Sequence, residues 1–339
     1  MVDMGWLWVD VKGDTVRTGK APAPFPEEVE KARDGTRKNF FQLWNHMPAA
    51  QTVPEYLSAL STVVVTGASS GIGEGFVKAI ANVSPKARFF NLSRSKPQFI
   101  LGEGRLEHVE ADLATAAGQE AALEALDKRL AAEGEKGPML LINNSGYGSY
   151  GPFPEPDLEN CLRMVDLNVR APVVLTGRLL PRLRERGGAV VNIASIAGFQ
   201  PTPLMTVYGA TKAFLLNWSL GLWQDLRETG VHVMCVCPGP TGTNFFRAAG
   251  FKEPPVAGWL GQTTEQVVEE SLRALARRKP LVVCGWQNKL QVMISSRIPR
   301  VLVSVLARKS LEKVRATPLA QQRAKSKAAV PEQAAVHPK

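Results

Sequence analysis

The sequence predicts an α/β fold: a doubly wound parallel sheet with helices on both faces. From Ser61 onward, short apolar runs alternate with longer stretches of helical character, and each run is apolar throughout. Strands that are apolar on both sides belong in a sheet that helices cover on both faces. The 339 residues are 45% apolar and 21% charged. This composition fits a globular chain with a sizeable core and excludes a disordered or collagen-like one.

The predicted elements alternate in order along the chain. The strands are expected at 62–65, 88–92, 106–109, 139–143, 189–194, 232–237 and 281–284, and the helices at 73–82, 116–133, 158–185, 207–229 and 264–277. We therefore assign residues 61–288 to one α/β domain. Residues 1–60 lack a sustained period and form an N-terminal extension, either loosely ordered or a module of unknown role.

The C-terminal part of the chain carries the excess charge. From Lys289 to the end there are 11 basic residues against two acidic ones, so most of the net charge of +10 lies there. Residues 289–316 place apolar side chains at helical spacing between basic ones, and Pro299 is expected to kink or divide that helix. Residues 317–339 are expected to be disordered. This tail lacks interleaved aromatic residues, which argues against specific nucleic-acid binding.

The four cysteines are too few and too scattered for a disulfide framework, and with four histidines there is no metal-ligand cluster. No apolar stretch reaches the length of a membrane span. We expect a reducing, cytoplasmic location.

A glycine-rich segment follows the first predicted strand and opens a helix. It reads Thr66-Gly67-Ala68-Ser69-Ser70-Gly71-Ile72-Gly73. Glycines there allow a tight turn and let backbone N–H groups approach a pyrophosphate at the positive end of the helix. The segment thus predicts a dinucleotide site.

The second predicted strand ends at Ser93-Arg94. An acidic residue at Ser93 would accept a hydrogen bond from a ribose 2′-hydroxyl and repel a 2′-phosphate. A hydroxyl followed by a guanidinium favours NADP(H) over NAD(H) instead.

Polar residues follow several other strands. They are Asp112-Leu113 after the third strand, Asn143-Asn144-Ser145-Gly146 after the fourth, and Ser195 after the fifth. Thirteen residues after Ser195, Tyr208 and Lys212 stand four apart and share one helix face. An amine one turn from a phenol stabilises the phenolate and is expected to lower the pKa of the tyrosine, which makes it a usable acid or base near neutrality.

Taken together, these motifs resemble the short-chain dehydrogenase/reductase family over about residues 62–283. The resemblance implies a Rossmann fold, with Tyr208 as general acid/base and Ser195 as hydrogen-bond donor to the substrate oxygen. It further implies that Lys212 binds the nicotinamide ribose and that Asn168 holds a water of the proton relay. Four residues of the Pro238–Thr243 segment match the family's contacts to the nicotinamide end: Pro238, Gly239, Thr241 and Thr243. Ser145 stands where the family usually has alanine.

The substrate is not specified by these motifs. Aromatic residues at Phe245, Phe246, Phe251 and Trp259, with Leu260, would make an apolar lid, or would pack against the body. We hypothesise an NADP(H)-dependent reductase of a lipophilic carbonyl compound. The alternatives are an alcohol dehydrogenase working in the oxidative direction and a cofactor-binding regulatory or scaffold protein without turnover.

Two kinds of partner are expected besides the small-molecule substrate. Phe214, Leu215, Trp218 and Leu222 at helical spacing favour either the core or a homodimer interface. The basic amphipathic segment 289–316 favours either contact with an anionic membrane or packing on the protein.

Overall fold

The computed structural model describes residues 52–102, 104–133, 137–250 and 261–314. Seven parallel strands form one sheet in the order β3-β2-β1-β4-β5-β6-β7. The strands are β1 Thr62–Thr66, β2 Arg88–Ser93, β3 Leu106–Glu110, β4 Met139–Asn143, β5 Gly188–Ile193, β6 Val231–Cys237 and β7 Leu281–Val283. The predicted doubly wound fold is confirmed.

Helices cover both faces of the sheet. They are α1 Val53–Ser58, α2 Gly71–Val83, α3 Ala116–Glu133, α4 Leu158–Val165, α5 Ala171–Arg186, α6 Thr206–Asp225, α7 Phe245–Ala248, α8 Thr264–Ala276, α9 Trp286–Ser295 and α10 Arg300–Val314. One apolar cluster packs α1, α2 and α8 on one face of the sheet, and a second packs α3 and α5 on the other. Since β1, β4 and β5 face a cluster on each side, their runs of apolar residues are fully buried.

The order of the strands fixes where a ligand can bind. The chain passes from β1 outward to β2 and β3, then crosses back to pair β4 with the other side of β1. The turns after β1 and β4 consequently diverge to opposite faces and leave a crevice at the carboxyl edge of the sheet. Every polar strand end singled out above lies at this edge.

The predicted helix at 158–185 is not continuous. A π-helical turn, Asp166–Arg170, separates α4 from α5. Pro172 has no N–H to donate to the carbonyl of Asn168, so the regular α-helical bond is missing at that point. The turn buries the side chain of Asn168 completely.

The basic amphipathic segment forms two helices, α9 and α10. The break between them covers residues 296–299 and ends at Pro299. Val303 of α10 is buried, and the Leu311 carbonyl accepts a hydrogen bond from the Tyr150 hydroxyl at 2.8 Å. One face of the segment therefore packs on the body. Among the described residues, no helix is both long enough and apolar enough to span a bilayer.

Candidate active site

A cavity of about 1250 Å³ lies along the carboxyl edge of the sheet. All of the site residues predicted from the sequence line it, except Gly73, Asn143 and Asn168. At one end the cavity is bounded by the glycine-rich turn, and at the other by aromatic residues and the helices α9 and α10. The sequence-derived set thus converges on one site.

The glycine-rich turn after β1 has the conformation that only glycine adopts readily. Gly67 and Gly71 have φ angles of +71° and +61°. A Cβ on Gly73 would lie 2.5 Å from both the Gly67 carbonyl oxygen and the Asn144 amide nitrogen. Gly73 is therefore required for close packing within the turn, although it does not line the cavity. Ser70, at the N-cap of α2, makes no side-chain capping bond. The first N–H groups of α2 stay available for an anion, which fits a dinucleotide pyrophosphate.

The ends of β1 and β4 are held together by Thr66. Its hydroxyl oxygen accepts hydrogen bonds from the backbone N–H groups of Asn144 and Ser145, at 2.9 and 2.8 Å. The Asn144 side chain donates to the carbonyls of Thr66 and Gly67. The sequence motifs include Thr66 and Asn144 but gave neither residue a role, because these bonds span 77 to 79 residues of chain.

The side chain of Asn91 on β2 holds the glycine-rich turn from the neighbouring strand. Its side-chain oxygen accepts from the Ala68 N–H at 2.8 Å, and its amide nitrogen donates to the Ser93 hydroxyl at 2.8 Å. The Ser93 hydroxyl in turn donates to the Ser95 carbonyl. Ser93 is buried, whereas Arg94 is exposed at the cavity wall. The guanidinium is thus placed where it can meet a charged ligand.

Asp112 is paired with an arginine that the sequence analysis did not single out. An oxygen of its carboxylate lies 2.6 Å from a guanidinium nitrogen of Arg163 on α4. Burial acts to raise the pKa of Asp112, but bonds from Arg163 and the Ala114 N–H, with the charges of Arg163 and Arg94, outweigh it and lower the pKa. The carboxylate is therefore ionised at neutral pH and able to accept hydrogen bonds at the cavity wall.

Asn143 lies inside the protein rather than on the cavity wall. Its amide nitrogen donates to Asn192 and Thr176, and the Asn192 amide donates to the Ser219 hydroxyl at 2.9 Å. This chain of buried polar groups ties β4 and β5 to α5 and α6. The role of Asn143 in this structure is thus to join secondary-structure elements below the site.

Ser195, Tyr208 and Lys212 meet at the middle of the cavity. Ser195 ends the segment after β5, and its hydroxyl oxygen accepts from the Ala197 N–H at 3.1 Å. Lys212 lies one helical turn after Tyr208 on α6; its Nζ is 5.8 Å from the centroid of the tyrosine ring and donates to the Ile193 carbonyl at 2.8 Å. The lysine is thereby fixed beside the phenol.

Burial shifts the pKa values of both groups. It raises the pKa of Tyr208 to about 12, although a hydrogen bond with Ser195 acts to lower it. The expected lowering of this pKa by Lys212 is therefore wrong for this structure, because burial of the phenol outweighs it. Burial lowers the pKa of Lys212 to about 8. Tyr208 is therefore protonated at neutral pH and suited to donate a proton, and the lysine charge that favours the phenolate is present only below about pH 8.

These shifts predict the pH dependence of carbonyl reduction. We expect the rate to fall as pH rises through about 8, because Lys212 loses its charge and the Tyr208 proton becomes harder to release. Tyr208 itself stays protonated over this range. Steady-state rates measured between about pH 6 and 10, the range in which lysine and tyrosine side chains titrate, would show the effect. If the residual rate of Lys212→Met still falls as pH rises through about 8, the fall is not caused by Lys212.

Asn168 is held by hydrogen bonds behind the cavity wall that Tyr208 and Lys212 line. Its amide nitrogen donates to the Tyr147 carbonyl and the Thr211 hydroxyl, at 2.9 and 3.0 Å, and its oxygen accepts from the Tyr147 N–H. A Cβ on Gly146 would approach the Asn168 oxygen to 3.0 Å and Lys212 Nζ to 3.3 Å. Asn168 and Lys212 thus flank the same glycine, which leaves little room for a side chain there.

The far end of the cavity is apolar. Phe245 packs against the Tyr208 ring with centroids 5.1 Å apart, and Phe246 packs on Phe245 edge to face. Both belong to a cluster with Tyr147, Met205 and Leu311. The remaining expected lid residues, Phe251, Trp259 and Leu260, lie outside the described residues.

The family assignment follows from the chain's similarity to known proteins. Residues 61–253 match the model of the short chain dehydrogenase family. The chain belongs to this family. It is thus an oxidoreductase with a Rossmann fold and a nicotinamide cofactor.

Individual members of the family show the same relationship. The chain is 35% identical over 195 residues to a serine 3-dehydrogenase of Rhizobium radiobacter, covering 54% of this chain and 73% of the relative. It is 35% identical over 185 residues to a very-long-chain 3-oxoacyl-CoA reductase of Anas platyrhynchos, covering 52% and 58%. A short-chain dehydrogenase of Sphingobium yanoikuyae, solved with NADPH, matches with a TM-score of 0.58, 28% identity and coverage of 82% and 99%.

Proposed function

We propose that this dehydrogenase transfers a hydride between NADP(H) and the carbonyl or alcohol carbon of a lipophilic substrate. One observation carries the proposal: Ser195, Tyr208 and Lys212 converge on the cavity that the glycine-rich turn also lines. A nicotinamide bound there supplies the hydride. The residues that would hold the cofactor are the turn between Gly67 and Gly73, then Ser93, Arg94 and Asp112, and the segment from Pro238 to Thr243.

The protein's own groups handle the substrate oxygen. The Ser195 hydroxyl donates a hydrogen bond to it, which stabilises negative charge as that charge develops. The Tyr208 hydroxyl delivers the proton, and the nearby charge of Lys212 favours the phenolate that remains. Oxidation of an alcohol uses the same groups in reverse.

The preference for NADP(H) over NAD(H) rests on Arg94. Its exposed guanidinium at the cavity wall provides a charge-assisted partner for a 2′-phosphate, and the buried Ser93 puts no carboxylate beside it. The Sphingobium yanoikuyae neighbour, whose structure contains NADPH, is consistent with this preference.

The lipophilic substrate class rests on the apolar end of the cavity. Tyr147, Phe245 and Phe246 line it together with aliphatic residues of α9 and α10. The name of the Anas platyrhynchos relative describes reduction of a long-chain acyl substrate, which agrees with this lining.

We also propose that the protein is a homodimer. Leu158 and Leu162 of α4 and Phe214 of α6 are exposed apolar side chains on two helices that pack together, and Phe214 stacks on Trp218. Leu215 is buried and Leu222 packs in the core, so only part of the expected set is free to meet a second copy.

A graded series of ketones tests the function. NADPH consumption by the purified protein is measured on straight-chain and cyclic ketones of increasing size. Each methylene that enters the apolar end is worth about 0.8 kcal/mol, so kcat/KM should rise about fourfold per methylene until the cavity is full. A kcat/KM that does not change with ketone size would contradict the lipophilic substrate. Tight NADPH binding without turnover of any ketone would favour a cofactor-binding protein that does not catalyse the reaction.

A further inference from the structure

The helices α9 and α10, residues 286–314, are here called the C-terminal helical pair. Its inner face lines the cavity with Leu290, Ile294, Leu306 and Leu311, among others. The bond from the Tyr150 hydroxyl to the Leu311 carbonyl fastens its far end to the body. The pair therefore forms one wall of the substrate site.

The outer face of the same pair is apolar and exposed. Val301 is 79% exposed and Trp286 is 64% exposed, and Met293, Leu302 and Val305 are each about half exposed. More than half of the large apolar side chains that are exposed in the described part of the chain belong to this pair. A concentration of this kind marks a surface for a partner or a membrane.

Charge distinguishes between the partners that such a face can meet. The pair carries exposed cations at Lys289, Arg297, Arg300, Arg308 and Lys309, and its one acidic residue is Glu312. Glu270 pairs with Lys289, and Glu312 pairs with Arg308. A second copy docking through this face would bring like charges together. An anionic phospholipid surface satisfies the apolar side chains and the cations at once.

The cavity opens at the same face. Leu290, Ile294 and Leu306 line the cavity and are also 40%, 49% and 50% exposed. This part of the cavity wall is therefore open to solvent, and these three side chains are called the apolar rim. An apolar rim next to an apolar outer face gives a lipophilic molecule a route that avoids water.

We propose that the C-terminal helical pair docks on an anionic phospholipid surface, and that its apolar rim admits the lipophilic substrate from that surface. The docking stands on the exposed side chains and charges alone. The entry route rests on the proposed function as well, so the two parts need separate readouts.

Vesicle binding by the full chain tests the docking. Wild type should co-sediment with vesicles of phosphatidylcholine and phosphatidylserine, and much less with phosphatidylcholine alone. Val301→Glu should weaken the binding at least tenfold, and replacing Arg297 and Arg300 together by glutamine should weaken it about 30-fold, at about 1 kcal/mol per cation. Ile100→Glu is the matched control, since Ile100 is 92% exposed and lies outside the pair. It should bind as wild type does.

Two results would overturn the docking. One is unchanged vesicle binding in both variants of the pair, which would assign any binding to other basic residues. The other is a lower molecular mass of Val301→Glu in light scattering, which would make this face an interface between copies of the chain. Val301 does not line the cavity, so neither result depends on the active site.

Turnover of two ketones tests the entry route. Val301→Glu should reduce kcat/KM for a long-chain ketone supplied in anionic vesicles at least fivefold, and leave kcat/KM for a short water-miscible ketone unchanged. Equal kcat/KM values of wild type and variant on the vesicle-borne ketone would refute the route. If neither ketone is turned over by wild type, the proposed function fails, whereas the vesicle-binding result still decides the docking.

Discussion

Replacing Tyr208 by phenylalanine is expected to reduce turnover by about a thousandfold or more while NADPH binding stays within a few-fold of wild type. General acid catalysis by a positioned side chain contributes about 10²–10⁴-fold to a rate. Tyr208 is the protonated phenol beside Ser195 and Lys212, and the variant removes only its hydroxyl. The ring remains to pack against Phe245, whose centroid lies 5.1 Å away, so the fold of the site is retained.

Single-turnover reduction and fluorescence titration of NADPH measure the two effects separately. Tyr147→Phe is the matched control, because Tyr147 also lines the cavity but donates its hydroxyl to the Asn160 carbonyl. We expect that control to keep most of its activity. Turnover by Tyr208→Phe at a rate close to wild type would remove Tyr208 from the mechanism, and loss of NADPH binding would mean that the variant disturbs the cofactor site instead.

Arg94→Asp is expected to reverse the cofactor preference. The substitution removes a charge-assisted partner of the 2′-phosphate, worth about 1.5–3 kcal/mol, and adds a like charge beside it. It also places next to Ser93 a carboxylate that can accept a hydrogen bond from a ribose hydroxyl. The ratio of kcat/KM for NADPH to that for NADH should fall by about a hundredfold or more.

Lys96→Asp is the control for this experiment. Lys96 is exposed two residues after Arg94 and does not line the cavity, so the same change in net charge is made outside the site. The ratio should be nearly unchanged in that variant. An equal shift in both variants would attribute the effect to the general electrostatic field, and no shift in Arg94→Asp would assign the preference to other groups.

Local sequence determined the sheet and most of the cavity wall. The runs at 62–65 and 139–143 are apolar throughout because they are buried on both faces, and that pattern is visible without any knowledge of their neighbours. Gly67 and Gly71 were recognisable because a tight turn between strand and helix requires positive φ angles. The pair Tyr208 and Lys212 followed from helical spacing alone.

The roles that the sequence analysis did not assign depend on contacts between distant parts of the chain. Thr66 bonds to residues 78 and 79 positions away, and Asn91 bonds to Ala68 across the turn. Arg163 meets Asp112 only because α4 passes over the end of β3. None of these side chains differs in local pattern from an ordinary polar residue.

The roles of the two asparagines at the end of β4 also depend on contacts with distant parts of the chain. Alternation along a strand sends adjacent side chains to opposite sides. Asn143 points into the polar chain that reaches Asn192 and Thr176, whereas Asn144 lies at the cavity. Which of the two faces the ligand is decided by the elements that cover each face of the sheet.

By itself, the sequence determined the parallel sheet, the dinucleotide turn and the pair of Tyr208 and Lys212, since apolar patterning, turn geometry and helical spacing are local properties of the chain. The role of Ser195 followed from the family resemblance. The tertiary structure decided how the basic segment is divided between body and surface. Sequence periodicity places Leu290, Val301 and Leu306 among the apolar residues of one helical segment. Only packing against the cavity and Tyr150 separates the residues that line the site from those left exposed, because burial depends on what lies opposite each side chain.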